Sequence, residues 1–136
     1  MEKAQVYAKH KSARVSPKKV AIVMDMVRGK SLEDAKKILS FDSTKGAKIL
    51  LKVLKSAEAN SVNNNNLKPE DLYVAQVYVD GGRMQKGGRA GSKGRNNPLL
   101  KRYSHLTIGL SEKPEVKQEK KVIKEKKSKK VSKEKK

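Results

Sequence analysis

The chain has 136 residues, no cysteine, and a formal net charge of +20 from 34 Lys and Arg against 14 Asp and Glu. That length suits one domain with tails, and the missing cysteines exclude disulfides and thiolate metal sites. Such a charge repels itself in a compact free protein and calls for a polyanionic partner, nucleic acid ahead of an anionic membrane.

Residues 3–14, KAQVYAKHKSAR, alternate loosely and predict a short strand or an extended arm, with Val6 and Ala8 on one face and Tyr7 on the other. Ser16-Pro17 reads as an N-cap followed by proline in the first helical turn. Val20, Val23, Met24 and Val27 follow at helical spacing, and Ile22 and Met26 are expected to widen that stripe. Gly29 is the expected left-handed cap. Ser31 and Asp34 open a second helix, SLEDAKKILSF, with Leu32, Ala35, Leu39 and Ile38 inward. Ser43 or Thr44 begins a third, in which Ala47, Leu50, Leu51, Leu54 and Ala57 share a face, and Asn63 to Asn66 fray its end before a turn at Pro69.

From Leu72 the period changes to two: Leu72, Val74, Gln76 and Tyr78 are expected on one side, Tyr73, Ala75, Val77 and Val79 on the other. Residues 103–110 alternate again. The two runs predict one long β-hairpin, spanning 80–103, with arms of about 12 residues reaching roughly 40 Å at the strand rise. The expected fold is α+β: three helices packed on a small antiparallel sheet of about three strands, with the hairpin protruding. Residues 1–111 form the expected domain. Residues 112–136, a Lys-rich tail, carry 12 bases and 5 acids and are expected to be disordered when free.

Catalysis fails on inventory. The chain has two histidines, His10 and His105, and no tryptophan, and its acids show no metal-loop spacing. Ser104 and His105 are neighbours on a strand and point to opposite faces, which makes no nucleophile–base pair. Gly29-Lys30-Ser31 imitates the end of a phosphate-binding loop, but Met24 stands where that pattern needs its first glycine. No enzyme activity, metal or cofactor is expected. No stretch approaches the roughly 20 apolar residues of a membrane span, so no membrane partner is expected. The start, MEKAQVYAKHK, lacks the apolar core of a secretory signal, which directs the expectation to the cytoplasm.

The segment from Gly81 to Ser111 holds 7 bases and no acid. Six of the nine glycines lie between Asp80 and Arg102. Glycine lets a backbone approach another molecule closely, and arginine binds phosphate through a planar fork. A solvated, idle charge run is the plain alternative. The flanking strands and the missing acids speak against it, because long structureless loops in small domains are uncommon unless functional. No helix-turn-helix, basic zipper or aromatic RNA-binding motif is present. At 4% aromatic residues, base stacking on many rings is not expected, so the reading is a binder of folded RNA by shape and backbone.

A second basic group surrounds the first helix: Arg14, Lys18, Lys19, Arg28 and Lys30. Lys18 and Lys19 sit in a first turn, where the helix dipole disfavours cations, which an anionic partner would offset better than ordinary solvation.

Several spaced motifs then carry a family resemblance. They are Ala13-Arg14-Val15-Ser16-Pro17-Lys18-Lys19, Asp25-Met26-Val27-Arg28-Gly29-Lys30, Lys55-Ser56-Ala57-Glu58-Ala59-Asn60, Asp71-Leu72-Tyr73-Val74, Val79-Asp80-Gly81-Gly82, Gly94-Arg95 and Lys101-Arg102-Tyr103-Ser104-His105. Over roughly residues 4–111 the chain resembles bacterial large-subunit ribosomal protein twenty-two. The resemblance implies a cytoplasmic, ribosome-bound monomer that contacts large-subunit ribosomal RNA and other large-subunit ribosomal proteins, supports assembly, and lines the peptide exit tunnel beside the nascent polypeptide. It implies RNA contacts at Arg14, Lys18, Lys19, Arg28 and Lys30 of the body and at Arg95, Lys101, Arg102 and His105 of the hairpin. With them go the charged hairpin residues Arg83, Lys86, Arg89 and Lys93. Gly87, Gly88, Arg89, Ala90, Gly91 and Ser92 are the expected tip. Ala90-Gly91-Ser92 stands where the family often has Pro-Arg-Ala, so a less bulky tip is expected. A non-specific nucleic-acid chaperone is the rival reading and predicts salt-sensitive binding to any polyanion.

Overall fold

The computed structural model describes residues 4–112. Three helices cover one face of a three-stranded antiparallel sheet of order β1-β3-β2, the α+β architecture expected. The lysine-rich tail, beyond Glu112, lies outside the described residues.

Strand β1 (Val6–Ala13) buries Val6 and Ala8. Helix α1 (Pro17–Val27) buries Val20, Val23, Met24 and Val27. Ile22 and Met26 do not widen that stripe; they are 69% and 48% exposed. At 100° per residue Ile22 falls opposite its centre and Met26 well off to one side, and no described residue buries either. The helix ends at Arg28, and Gly29, at φ +74°, turns the chain as expected for a left-handed cap. Gly29 N–H then donates to the Val74 carbonyl and Lys30 accepts from Val74 N–H, which ties this turn to the sheet.

Helix α2 (Leu32–Phe41) is capped by the Ser31 hydroxyl, which accepts from Asp34 N–H, and it buries Leu32, Ala35 and Leu39. Helix α3 (Lys45–Asn65) is capped by Thr44, which accepts from Ala47 N–H. It buries Ala47, Leu50, Leu54 and Ala57 and, in addition, Val53 and Ser61, while Leu51 is only partly buried. Rather than fraying at Asn63, α3 runs on to Asn65 and stops at Asn66, a left-handed cap at φ 54°. A part-buried ion pair of 2.6 Å between Lys36 and Glu58 joins α2 to α3.

Strand β2 (Leu72–Ala90) and strand β3 (Asn96–Glu112) form the hairpin. Alternation along β2 is broken by a bulge at Ala75: Val74 pairs with Leu110 but Gln76 with Gly109. The extra residue returns Val77 to the core side with Leu72 and Val74 and turns Gln76 and Tyr78 away from the helices. The uniform period expected from Leu72 therefore fails at one residue. Ser104, Leu106, Ile108 and Leu110 of β3 face the helices and are fully buried.

Candidate nucleic-acid interface

The hairpin leaves the body at a second bulge. Gly81 pairs with Ser104 and Met84 with Arg102, so Gly82 and Arg83 together face Tyr103. A Cβ on Gly82 would lie 3.1 Å from the Tyr103 carbonyl carbon, a backbone atom that cannot swing aside. The close approach belongs to this bulge, where a strand bends locally. It also lays the Arg83 guanidinium over the Tyr103 ring, 5.4 Å from its centroid.

Beyond the bulge the ladder continues unbroken from Met84–Arg102 to Ala90–Asn96. Every residue from Arg83 to Arg102 is exposed. The free arm is thus shorter than the sequence suggests, roughly 25 Å at the strand rise, because Val79 to Gly81 still belong to the three-stranded sheet. The turn also comes later than expected. Gly87, Gly88, Arg89 and Ala90 are paired in the outgoing arm, and Gly91 to Arg95 form the tip. There Gly91 N–H donates to the Arg95 carbonyl at 2.6 Å, and Lys93 takes φ 55°. Ser92 starts the turn.

Opposed side chains of a ribbon share a face. Lys101, with Gln85, and Arg89, with Asn97, lie on the face continuous with Tyr103. Lys86 and Arg102 lie on the other face, where the Arg102 guanidinium donates to the Met84 sulfur at 3.3 Å. Lys93 and Arg95 sit in and just after the turn. Among the described residues no hairpin cation has an acid within ion-pair distance.

The body cations are divided rather than gathered. Arg14 joins the hairpin foot: it lines shallow recesses with Arg83, Gln85, Lys101, Arg102 and Tyr103. Lys18 and Lys19 are exposed in the first turn of α1, which carries no acid. Arg28 and Lys30 lie beyond the other end of that helix, roughly 16 Å away along its axis. Arg28 already has partners, an ion pair of 2.9 Å with Asp25 and a 3.5 Å bond to the Val77 carbonyl. His105 accepts at Nδ1 from Ser12 N–H at 3.0 Å, which leaves Nε2 as the ring's outward donor.

Sequence reasoning missed what the bulges do to the aromatic residues. Tyr7, Tyr78 and Tyr103 lie on the sheet face that none of the described helices covers. The available signal was the tyrosines in each strand, but Tyr78 reads as inward until the bulge at Ala75 is known.

A small α+β body with one exposed hairpin, whose cations have no acid within ion-pair distance among the described residues, defines a basic, hairpin-bearing class of protein. Comparison with known proteins makes this specific. The ribosomal protein L22p/L17e family matches residues 8–111. The large ribosomal subunit protein uL22 of Thermus thermophilus is 46% identical over 100 residues, 74% of this chain and 88% of that protein. The uL22 of Syntrophus aciditrophicus is 43% identical over 103 residues, 76% and 94% of the two chains. The uL22 of Caldicellulosiruptor saccharolyticus is 44% identical over 100 residues, 74% and 82%. The chain belongs to the ribosomal protein L22p/L17e family. A member of that family is a structural constituent of the large ribosomal subunit, in the cytoplasm, and not an enzyme.

Proposed function

We propose that the chain binds large-subunit ribosomal RNA through its hairpin and the hairpin foot, and that the hairpin lines the peptide exit tunnel. The observation that carries this reading is the ribbon itself: two paired arms exposed on both faces, with Arg83, Lys86, Arg89, Lys93, Arg95, Lys101 and Arg102 and, among the described residues, no acid within ion-pair distance of them. Phosphate contacts of this kind fix position rather than read sequence. Arg14, Lys18 and Lys19 extend the contact onto the body, Arg28 and Lys30 form a separate contact beyond α1, and His105 donates through Nε2.

In this reading the body, residues 4–81 with 103–112, folds on its own core. The arm has few apolar side chains to order it, so it becomes rigid on RNA during assembly. A single copy serves in each subunit. The tip, Gly91 to Arg95 with Ser92 at its start, borders the nascent polypeptide. Sedimentation of a lysate through high salt tests the RNA contact. The chain is expected to remain with the large subunit, and its release into bulk nucleic acid would favour a non-specific basic binder. Amide exchange supplies a second check: protection of Lys86 to Ala90 in the free protein would contradict ordering on assembly.

A further inference from the structure

We propose that the helix-free face of the sheet is a platform on which unpaired RNA nucleotides stack. This rests on the RNA-binding reading above and adds to it a class of nucleotide and a mode of contact. The alternation of β3 makes the geometry. Its inward residues are buried, so Tyr103, His105, Thr107 and Gly109 point the other way. Their partners on β2 are the bulge at Arg83, then Asp80, Tyr78 and Gln76. On β1 they are Lys9, opposite Thr107, and Tyr7, opposite Gly109.

The face therefore gathers Tyr7, Tyr78 and Tyr103 across its three strands. Tyr7 and Tyr78 are 40% and 44% exposed, although large aromatic side chains ordinarily lose most of their surface on folding. Tyr7 is held flat across the sheet. Its hydroxyl donates to the Gln76 Oε1 at 2.9 Å, and its ring covers Gly109, where a Cβ would meet the ring at 2.9 Å. Tyr7, Lys9, Gln76, Tyr78, Asp80 and Thr107 line one shallow recess.

The chemistry fits nucleotides better than a protein partner. The rings are separated by Lys9, Thr107 and Asp80, so they make no continuous apolar patch of the kind a protein interface uses. A ring face accepts any base, and Lys9 supplies a phosphate contact. The hydroxyl of Thr107 and the carboxylate of Asp80 match donors on base edges; Asp80, the one acid on this face, would accept from an exocyclic amine. The platform is continuous with one face of the hairpin, through Tyr103 and its Arg83 stack to Lys101 and Arg89. A single strand crossing the sheet would thus be led onto the cationic ribbon.

The chain has no tryptophan, so tyrosine emission reports stacking directly. The test titrates the full-length protein with an unstructured RNA oligomer of about ten nucleotides, a length within known single-strand site sizes, against a blunt RNA duplex. Wild-type emission is expected to be quenched by the oligomer and much less by the duplex. Tyr7→Leu and Tyr78→Leu should each weaken oligomer binding roughly fivefold to a hundredfold and leave its salt dependence unchanged. Tyr78→Trp should bind at least as tightly, with its indole emission quenched, and this variant still decides the matter if a leucine variant fails to fold. A triple variant with Lys86, Arg89 and Lys101 changed to Gln separates the two readings. If it binds RNA weakly while the tyrosine variants bind like wild type, the platform is wrong and the hairpin reading stands. If all variants bind like wild type, both are wrong.

Discussion

Neutralising the hairpin separates charge that serves the fold from charge that serves a partner. Replace Lys86, Arg89 and Lys101 with Gln together. All three are exposed, and none has an acid within ion-pair distance among the described residues. They lie on both faces of a ribbon that contributes nothing to the buried core. Their loss therefore costs the fold no contact and relieves like-charge repulsion, so Tm should hold or rise. Binding to RNA should respond through counterion release. Each lost phosphate contact lowers the slope of log affinity against log salt by about 0.7 to 0.9, so the triple variant should be shallower by roughly 2 to 3. Over a fourfold rise in salt, the wild type should then lose roughly 20- to 40-fold more affinity than the variant. Titrating a large-subunit RNA fragment at four or five salt concentrations, beside a thermal melt, measures both quantities. An unchanged slope would show that these cations touch no phosphate; a Tm several degrees lower would show that they stabilise the fold after all.

Other expectations follow from the packing. Leu50 of α3 is fully buried in the core, and Leu50→Ala should cost about 2 to 5 kcal/mol in denaturant unfolding. The Ser104 hydroxyl is fully buried with no hydrogen-bond partner among the described residues, so Ser104→Ala should leave stability unchanged or raise it by about 1 kcal/mol. A drop of that size would reveal a bound water. Gly82→Val sets a branched side chain against the Tyr103 backbone and should destabilise by about 1 to 3 kcal/mol while removing the Arg83–Tyr103 stack. The readouts are the melt and tyrosine emission.

The helices were legible because their signals are local. Ser31 and Thr44 cap, Gly29 ends a helix, and period and spacing indicate most of the inward stripes, although α3 adds Val53 and Ser61 and leaves Leu51, like Ile38 of α2, only partly buried. Ile22 and Met26 misled because their chemistry, not their angle on the helix, suggested burial. The sheet was legible as strands but not as faces. A bulge is a single-residue event decided by how strands pair and pack, and three of them, near Ala75, Ser12 and Gly82, reset which side chains point outward. The charged hairpin was visible in composition alone. Its root, the place of its turn and the joining of Arg14 to its foot depend on those bulges. So does the row of tyrosines on the open sheet face, which low aromatic content had argued against.

The central claim is that the hairpin carries its tip into the peptide exit tunnel. Ser92 is exposed at the start of the turn, and the chain has no other cysteine to confuse a label at Ser92→Cys. A photocrosslinker there, in ribosomes purified through high salt while translating, tests the claim most directly. Crosslinks confined to tunnel-wall RNA and to the nascent chain are the predicted result. Crosslinks scattered over surface RNA, with none to the nascent chain, would contradict it.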